Sequence, residues 1–68
     1  MTDAGKCLRL LQRRFDISTV DLAQKLDCHA QQVFRWRNQS NMKLHTLQKI
    51  CAVAGITLDD FVKLNEEQ

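Results

Sequence analysis

Proline is absent from this 68-residue chain, and glycine occurs only at Gly5 and Gly55. An all-β fold of short strands needs many tight turns built from Gly, Pro and Asn-Gly pairs, so the composition disfavours one. Aromatic residues make up only 6%. There is no C-x-x-C pair: Cys7, Cys28 and Cys51 are an odd number, separated by 21 and 23 positions. A disulfide scaffold normally carries an even and denser set, so these cysteines are expected as small buried hydrophobes or half-exposed thiols in a reducing compartment. No apolar run approaches the roughly 18 residues that span a bilayer, and the N-terminus lacks the apolar stretch of a signal peptide. A soluble, cytoplasmic protein with no membrane partner is expected.

What is present points to a folded domain. Apolar residues are 44% and charged residues 26%, close to the globular average and far from the signature of disorder. Chains below roughly 70–80 residues rarely build more than one modest core, so residues 1–68 read as a single domain. With turn-rich β folds disfavoured, that domain is expected to be a compact all-α one. The net charge of +2 announces no partner by itself. Its distribution is more informative: residues 35–49 carry four basic side chains and no acid, whereas residues 50–68 carry one base and four acids. Such asymmetry places a positive footprint on one side of a small protein.

Five helices fit the hydrophobic periodicity. Leu8, Leu11 and Phe15 recur at helical spacing behind Thr2 or Asp3 as N-cap, which predicts a first helix over 4–15 with Lys6, Arg9, Arg13 and Arg14 on its wet faces. Ser18-Thr-Val-Asp21 has the spacing of a capping box and starts a second helix with Leu22, Ala23 and Leu26 inward. After only Asp27, Cys28 and His29 the pattern restarts, with Val33 and Trp36 inward and Gln31, Gln32, Arg35 and Asn38 opposite. Two short helices joined so closely must cross steeply, as in a helix-turn-helix. Asn38 to Asn41 is turn-like. Leu44, Leu47, Ile50, Cys51 and Ala54 form the next stripe, stopped by Gly55, and Thr57 with Asp60 caps a fifth helix carrying Leu58, Phe61 and Leu64 inward.

The run Leu22-Ala-Gln-Lys-Leu-Asp-Cys-His-Ala-Gln-Gln-Val-Phe-Arg-Trp36 resembles the helix-turn-helix of the Cro and lambda-repressor type, also called XRE-like. The likeness continues through Thr46 to Phe61 and covers about residues 6–62. Asp27 stands where the family has its turn glycine, and Asp16 where a glycine commonly ends the first helix; Asp is among the few residues that visit the left-handed region at moderate cost. Arg37 replaces the acid that often follows the family's Trp. His29 replaces a Ser at the start of the third helix, as a weaker N-cap. The resemblance implies a five-helix lambda-repressor-like domain that binds double-stranded DNA.

It also implies roles by position: Ala30, Gln31, Gln32 and Arg35 for reading bases, and Thr19, Arg37, Asn38, Gln39 and Lys43 for the phosphate backbone. The chemistry agrees, since Gln matches adenine N6 and N7, Arg forks onto guanine O6 and N7, and the Ala30 methyl can meet a thymine methyl. Without that context a Gln-Gln pair and an Arg on an exposed helix are a solvated surface, and Trp36 is assigned to the core rather than to base stacking. Phe34 is left open: it packs partly under the fourth helix, meets a thymine methyl or a sugar, or belongs to a protein interface.

No catalytic constellation appears, neither a Gly-rich phosphate loop nor a nucleophile elbow nor His-Glu-x-x-His, so an enzyme is not expected. Neither His29 nor His45 has a ligand at metal spacing, so no metal and no cofactor is expected. The leading expectation is a sequence-specific transcriptional regulator, a bare DNA-binding domain of phage or plasmid repressor type, acting as a homodimer on a pseudopalindromic operator. Leu58, Phe61, Val62 and Leu64 are the candidate dimer interface. The alternative is a protein-binding adaptor or antitoxin that docks the same fold on a toxin or another regulator.

Overall fold

A computed structural model describes residues 3–64. Within them the chain forms α1 (Ala4–Phe15), α2 (Thr19–Lys25), α3 (Ala30–Arg37), α4 (Leu44–Ala54) and α5 (Leu58–Lys63), and no strand. Helix α1 packs across α3 and α5, α2 across α3 and α4, and α4 against α5.

Side chains set most of the helix starts. Asp3 accepts from the Lys6 N–H, Ser18 from the Asp21 N–H, and Thr57 and Asp60 exchange both bonds of a capping box, each arrangement satisfying amide groups that a helix start leaves unpaired. His29 and Lys43 sit in the same extended N-cap conformation without a side-chain bond.

The three sharp turns share one solution. Asp16, Asp27 and Gly55 lie at φ of 54°, 55° and 73°. In each case the next N–H reaches back five positions: Ile17 to the Gln12 carbonyl, Cys28 to Ala23 and Ile56 to Cys51. A left-handed residue with that bond satisfies the last free carbonyls of the preceding helix. The two Asp residues thus occupy the left-handed positions expected of them.

Phe61, Leu8, Leu11, Leu22, Ile50, Val33 and Cys7 are the large side chains fully removed from water, each worth roughly 1.5–3 kcal/mol for the bulky apolar ones. Cys51 is buried and Cys28 half-buried. Trp36 packs against this core from its margin.

Two expected core positions move to the surface. Phe15, the last residue of α1, is 41% exposed, and Leu44, the first of α4, is 57% exposed. Both lie at helix ends, and Phe15 lines an open cleft with Ile56, Asp60 and Leu64 rather than filling the core. Of the four candidate interface residues, Phe61 is fully buried and Leu64 is 6% exposed, both inside the chain's own core as the inward placing of both predicts. Leu58 and Val62 are the half-buried members of that set and have more surface to offer a partner.

One close approach joins distant parts. The N–H groups of Ala4 and Gly5 donate to the carbonyls of Ser40 and Gln39 at 2.9 and 2.8 Å. A Cβ on Gly5 would collide with the Gln39 carbonyl oxygen and stand 2.7 Å from that of Arg37. Only glycine lets the start of α1 rest on the chain leaving α3.

Candidate nucleic-acid interface

Helix α3 divides its eight residues sharply. Val33 is fully buried, while Ala30 and Trp36 are half-buried and packed against the core. Gln31, Phe34, Arg35 and Asn38 are exposed and follow one another at the three- and four-residue steps of a single helical face. Gln32 and Arg37 lie half-buried at its margins. The exposed face therefore gathers an amide, a guanidinium, an aromatic ring and a second amide at the helix end.

The start of α3 is held by the turn. Asp27 turns left-handed, the Cys28 N–H reaches the Ala23 carbonyl at 2.9 Å, and the Gln32 N–H bonds the His29 carbonyl at 2.9 Å. At the other end, the Asn38 side-chain amide donates to the Phe34 carbonyl at 3.0 Å. Asn38, expected at the DNA backbone, thus also closes the last turn of α3.

A second group of residues surrounds Thr19. Its hydroxyl oxygen accepts from Gln12 Nε2 at 3.2 Å and from Arg37 Nη1 at 3.1 Å. Gln12 Nε2 also donates to the Ile17 carbonyl at 3.2 Å, and Gln12 Oε1 is buried without a protein partner. Arg9, Arg13 and Arg37 line the open cleft above this cluster together with Ser18 and Thr19, and no acidic side chain shares it. The guanidinium of Arg37 also lies 5.7 Å from the centre of the Phe34 ring, within cation–π range.

The structure therefore brings Thr19 and Arg37 together, and it adds two residues that periodicity assigned to the wet face of α1. Arg9 and Arg13 stand one helical turn apart, beside the start of α2. Their i, i+4 spacing was visible in the sequence, but nothing there indicated which helix they would face. Gln39 and Lys43 lie exposed in and after the loop that leaves α3. The Gln39 carbonyl takes the Gly5 N–H, and the Lys43 carbonyl takes the Thr46 and Leu47 N–H groups, so backbone bonds fix this loop.

Three guanidinium groups beside a hydroxyl suit phosphate oxygens, and amide and guanidinium groups on a neighbouring exposed helix suit base edges. Among the described residues no group of three or more His, Cys, Asp or Glu is placed to hold a metal ion, and no helix is long and apolar enough to cross a membrane.

A family model described as a Cro/C1-type HTH DNA-binding domain matches residues 8–67. No curated protein and no solved structure matches the chain.

Proposed function

This chain belongs to the Cro/C1-type HTH DNA-binding domain family, and from that premise we propose that it is a sequence-specific repressor, one reading unit over residues 1–68, working in the cytoplasm. The observation that carries the proposal is the adjacency of two surfaces. The exposed face of α3 offers Gln31 and Arg35 to base edges, and the cleft of Arg9, Arg13, Thr19 and Arg37 beside it offers cations and a hydroxyl to phosphates.

In this reading α3 enters the major groove and α2 lies across the backbone. Arg35 forks onto a guanine and Gln31 pairs with an adenine, each good bidentate pair discriminating by about 1–3 kcal/mol. Ala30 and Gln32 flank them at the edge of the groove. Asn38, Gln39 and Lys43 follow the phosphates beyond the end of α3, in the stretch that carries no acid. A face this small makes few base contacts, so useful affinity calls for a homodimer on a pseudopalindromic operator of the phage or plasmid kind, with half-sites about 34 Å apart. Leu58 and Val62 are the proposed contact between copies.

Selection of bound duplexes from a random pool tests this reading. A palindromic motif is expected, with log affinity falling against log salt at a slope near −0.9 per phosphate neutralised. A pool that enriches no motif at moderate salt would overturn the repressor reading. It would favour the adaptor or antitoxin alternative, for which the exposed Phe34 is the motivating observation.

A further inference from the structure

Phe34 is a large apolar side chain left 51% exposed in the middle of the polar face of α3, and it is not among the residues packed against the core. Building on the DNA-binding reading, we propose that Phe34 determines specificity by reading the C5-methyl group of a thymine in the major groove.

One contact holds the ring and another the main chain that carries it. The Arg37 guanidinium lies 5.7 Å from its centre, and Arg37 is itself fixed to Thr19 by a 3.1 Å hydrogen bond. The backbone carbonyl of Phe34 receives the Asn38 amide at 3.0 Å. An aromatic ring has only two side-chain torsions to order, so its exposed edge is offered at little conformational cost. Its neighbours on the exposed face, Gln31 and Arg35, are the groups suited to base edges.

The base edges in the major groove are amino groups, carbonyl oxygens and ring nitrogens, with a single apolar exception, the thymine methyl. Against the polar edges, the ring would remove water from donors and acceptors and give no hydrogen bond in return. Against the methyl group, both partners lose apolar contact with water. Ala30, the other methyl-bearing candidate, is half-buried against the core and has less surface to offer. The flanking Arg35, Arg37 and Lys43 lie in a stretch without an acid, which matches a polyanion rather than an apolar protein surface.

Deoxyuridine lacks the methyl group alone, so it isolates the contact. In the selected duplex, each thymine is replaced in turn by deoxyuridine, and the affinity ratio between the two duplexes is measured for the full chain and for Phe34→Ala and Phe34→Leu. At one thymine per half-site the unaltered protein is expected to lose about fourfold, the worth of one buried methyl. For Phe34→Ala the ratio at that position falls to near one, and Phe34→Leu keeps part of it. The proposal is overturned if Phe34→Ala shows the same ratios as the unaltered chain at every position. A ring that packs on a deoxyribose or on a partner protein would give that result. Failure of the underlying DNA reading would look different, since no duplex would then be enriched, and it would remove this inference as well.

Discussion

Arg37 Nη1 donates to Thr19 Oγ1 at 3.1 Å, joining residues eighteen positions apart. Thr19 is the first residue of α2 and Arg37 the last of α3, so one hydrogen bond ties together the two open ends of the helix-turn-helix. Replacing Thr19 by Val keeps the side-chain outline and removes the acceptor shared by Gln12 and Arg37. A loss of about 1 kcal/mol of stability in urea denaturation is expected. If Arg37 meets phosphates as proposed, DNA affinity is expected to drop on related and unrelated sequences alike, with a further loss on the selected site at the thymine read by Phe34, whose ring Arg37 holds. Unchanged affinity on unrelated sequences would contradict the phosphate role.

Gly5→Ala is expected to be the most damaging conservative change in the chain. Its Cβ would meet the Gln39 carbonyl, so the first turn of α1 would have to lift and give up the Ala4 and Gly5 hydrogen bonds. Overpacking together with these lost bonds is worth about 2–4 kcal/mol. Thermal unfolding of the variant checks the value, and an unchanged midpoint would refute the contact.

Arg35 and Lys43 should separate specificity from general affinity. Arg35→Ala is expected to cost about 1–3 kcal/mol on the selected site and to flatten preference at one base pair, whereas Lys43→Ala weakens all duplexes alike and reduces the salt slope by roughly one phosphate. Salt titrations of both variants on selected and scrambled duplexes distinguish these outcomes. Identical profiles for the two would argue against the assignment.

Asp27 pays little for its left-handed backbone only because of its residue type. At φ 55° an alanine is strained, so Asp27→Ala is expected to cost about 1 kcal/mol, while Asp27→Gly leaves stability unchanged or raises it. Denaturation curves of the pair provide the check, and equal losses would mean that the carboxylate matters more than the turn.

Burial, and next the Asp60 carboxylate, raise the Cys51 thiol above its ordinary value of 9.0. The folded chain therefore holds this proton where the unfolded chain has released it. The resulting contribution to stability is fully present below about pH 9 and declines as pH rises through the raised value. Cys51→Ala is expected to show a shallower alkaline decline than the unaltered chain, whatever its stability at neutral pH. Parallel slopes would exclude Cys51 as the titrating group.

Much of the fold was legible in the sequence because its signals are local. Asp3, Ser18 and Thr57 cap their helices, Gly55 ends α4, and Asp16 and Asp27 bend left-handed where glycines were missing. What failed depended on tertiary reach. Periodicity assigns a face, but it does not reveal how deeply each position on it is covered, and Phe15 and Leu44, on the apolar stripes of α1 and α4, lie at exposed helix ends. Phe61 and Leu64 carried two readings, core and interface, and burial in the core cluster bears out the first. The separation of Arg9 and Arg13 from the other wet residues of α1, and the close approach at Gly5, arise from contacts remote in sequence.

Only Val33 among the residues of α3 is wholly buried, while Gln31, Phe34 and Arg35 contribute to the surface rather than to the core. If α3 reads bases as proposed, the determinants of folding and of target choice occupy different positions on the same two turns of helix. A lineage, or a designer, could then exchange those three exposed side chains to change the target while the scaffold beneath stays as it is.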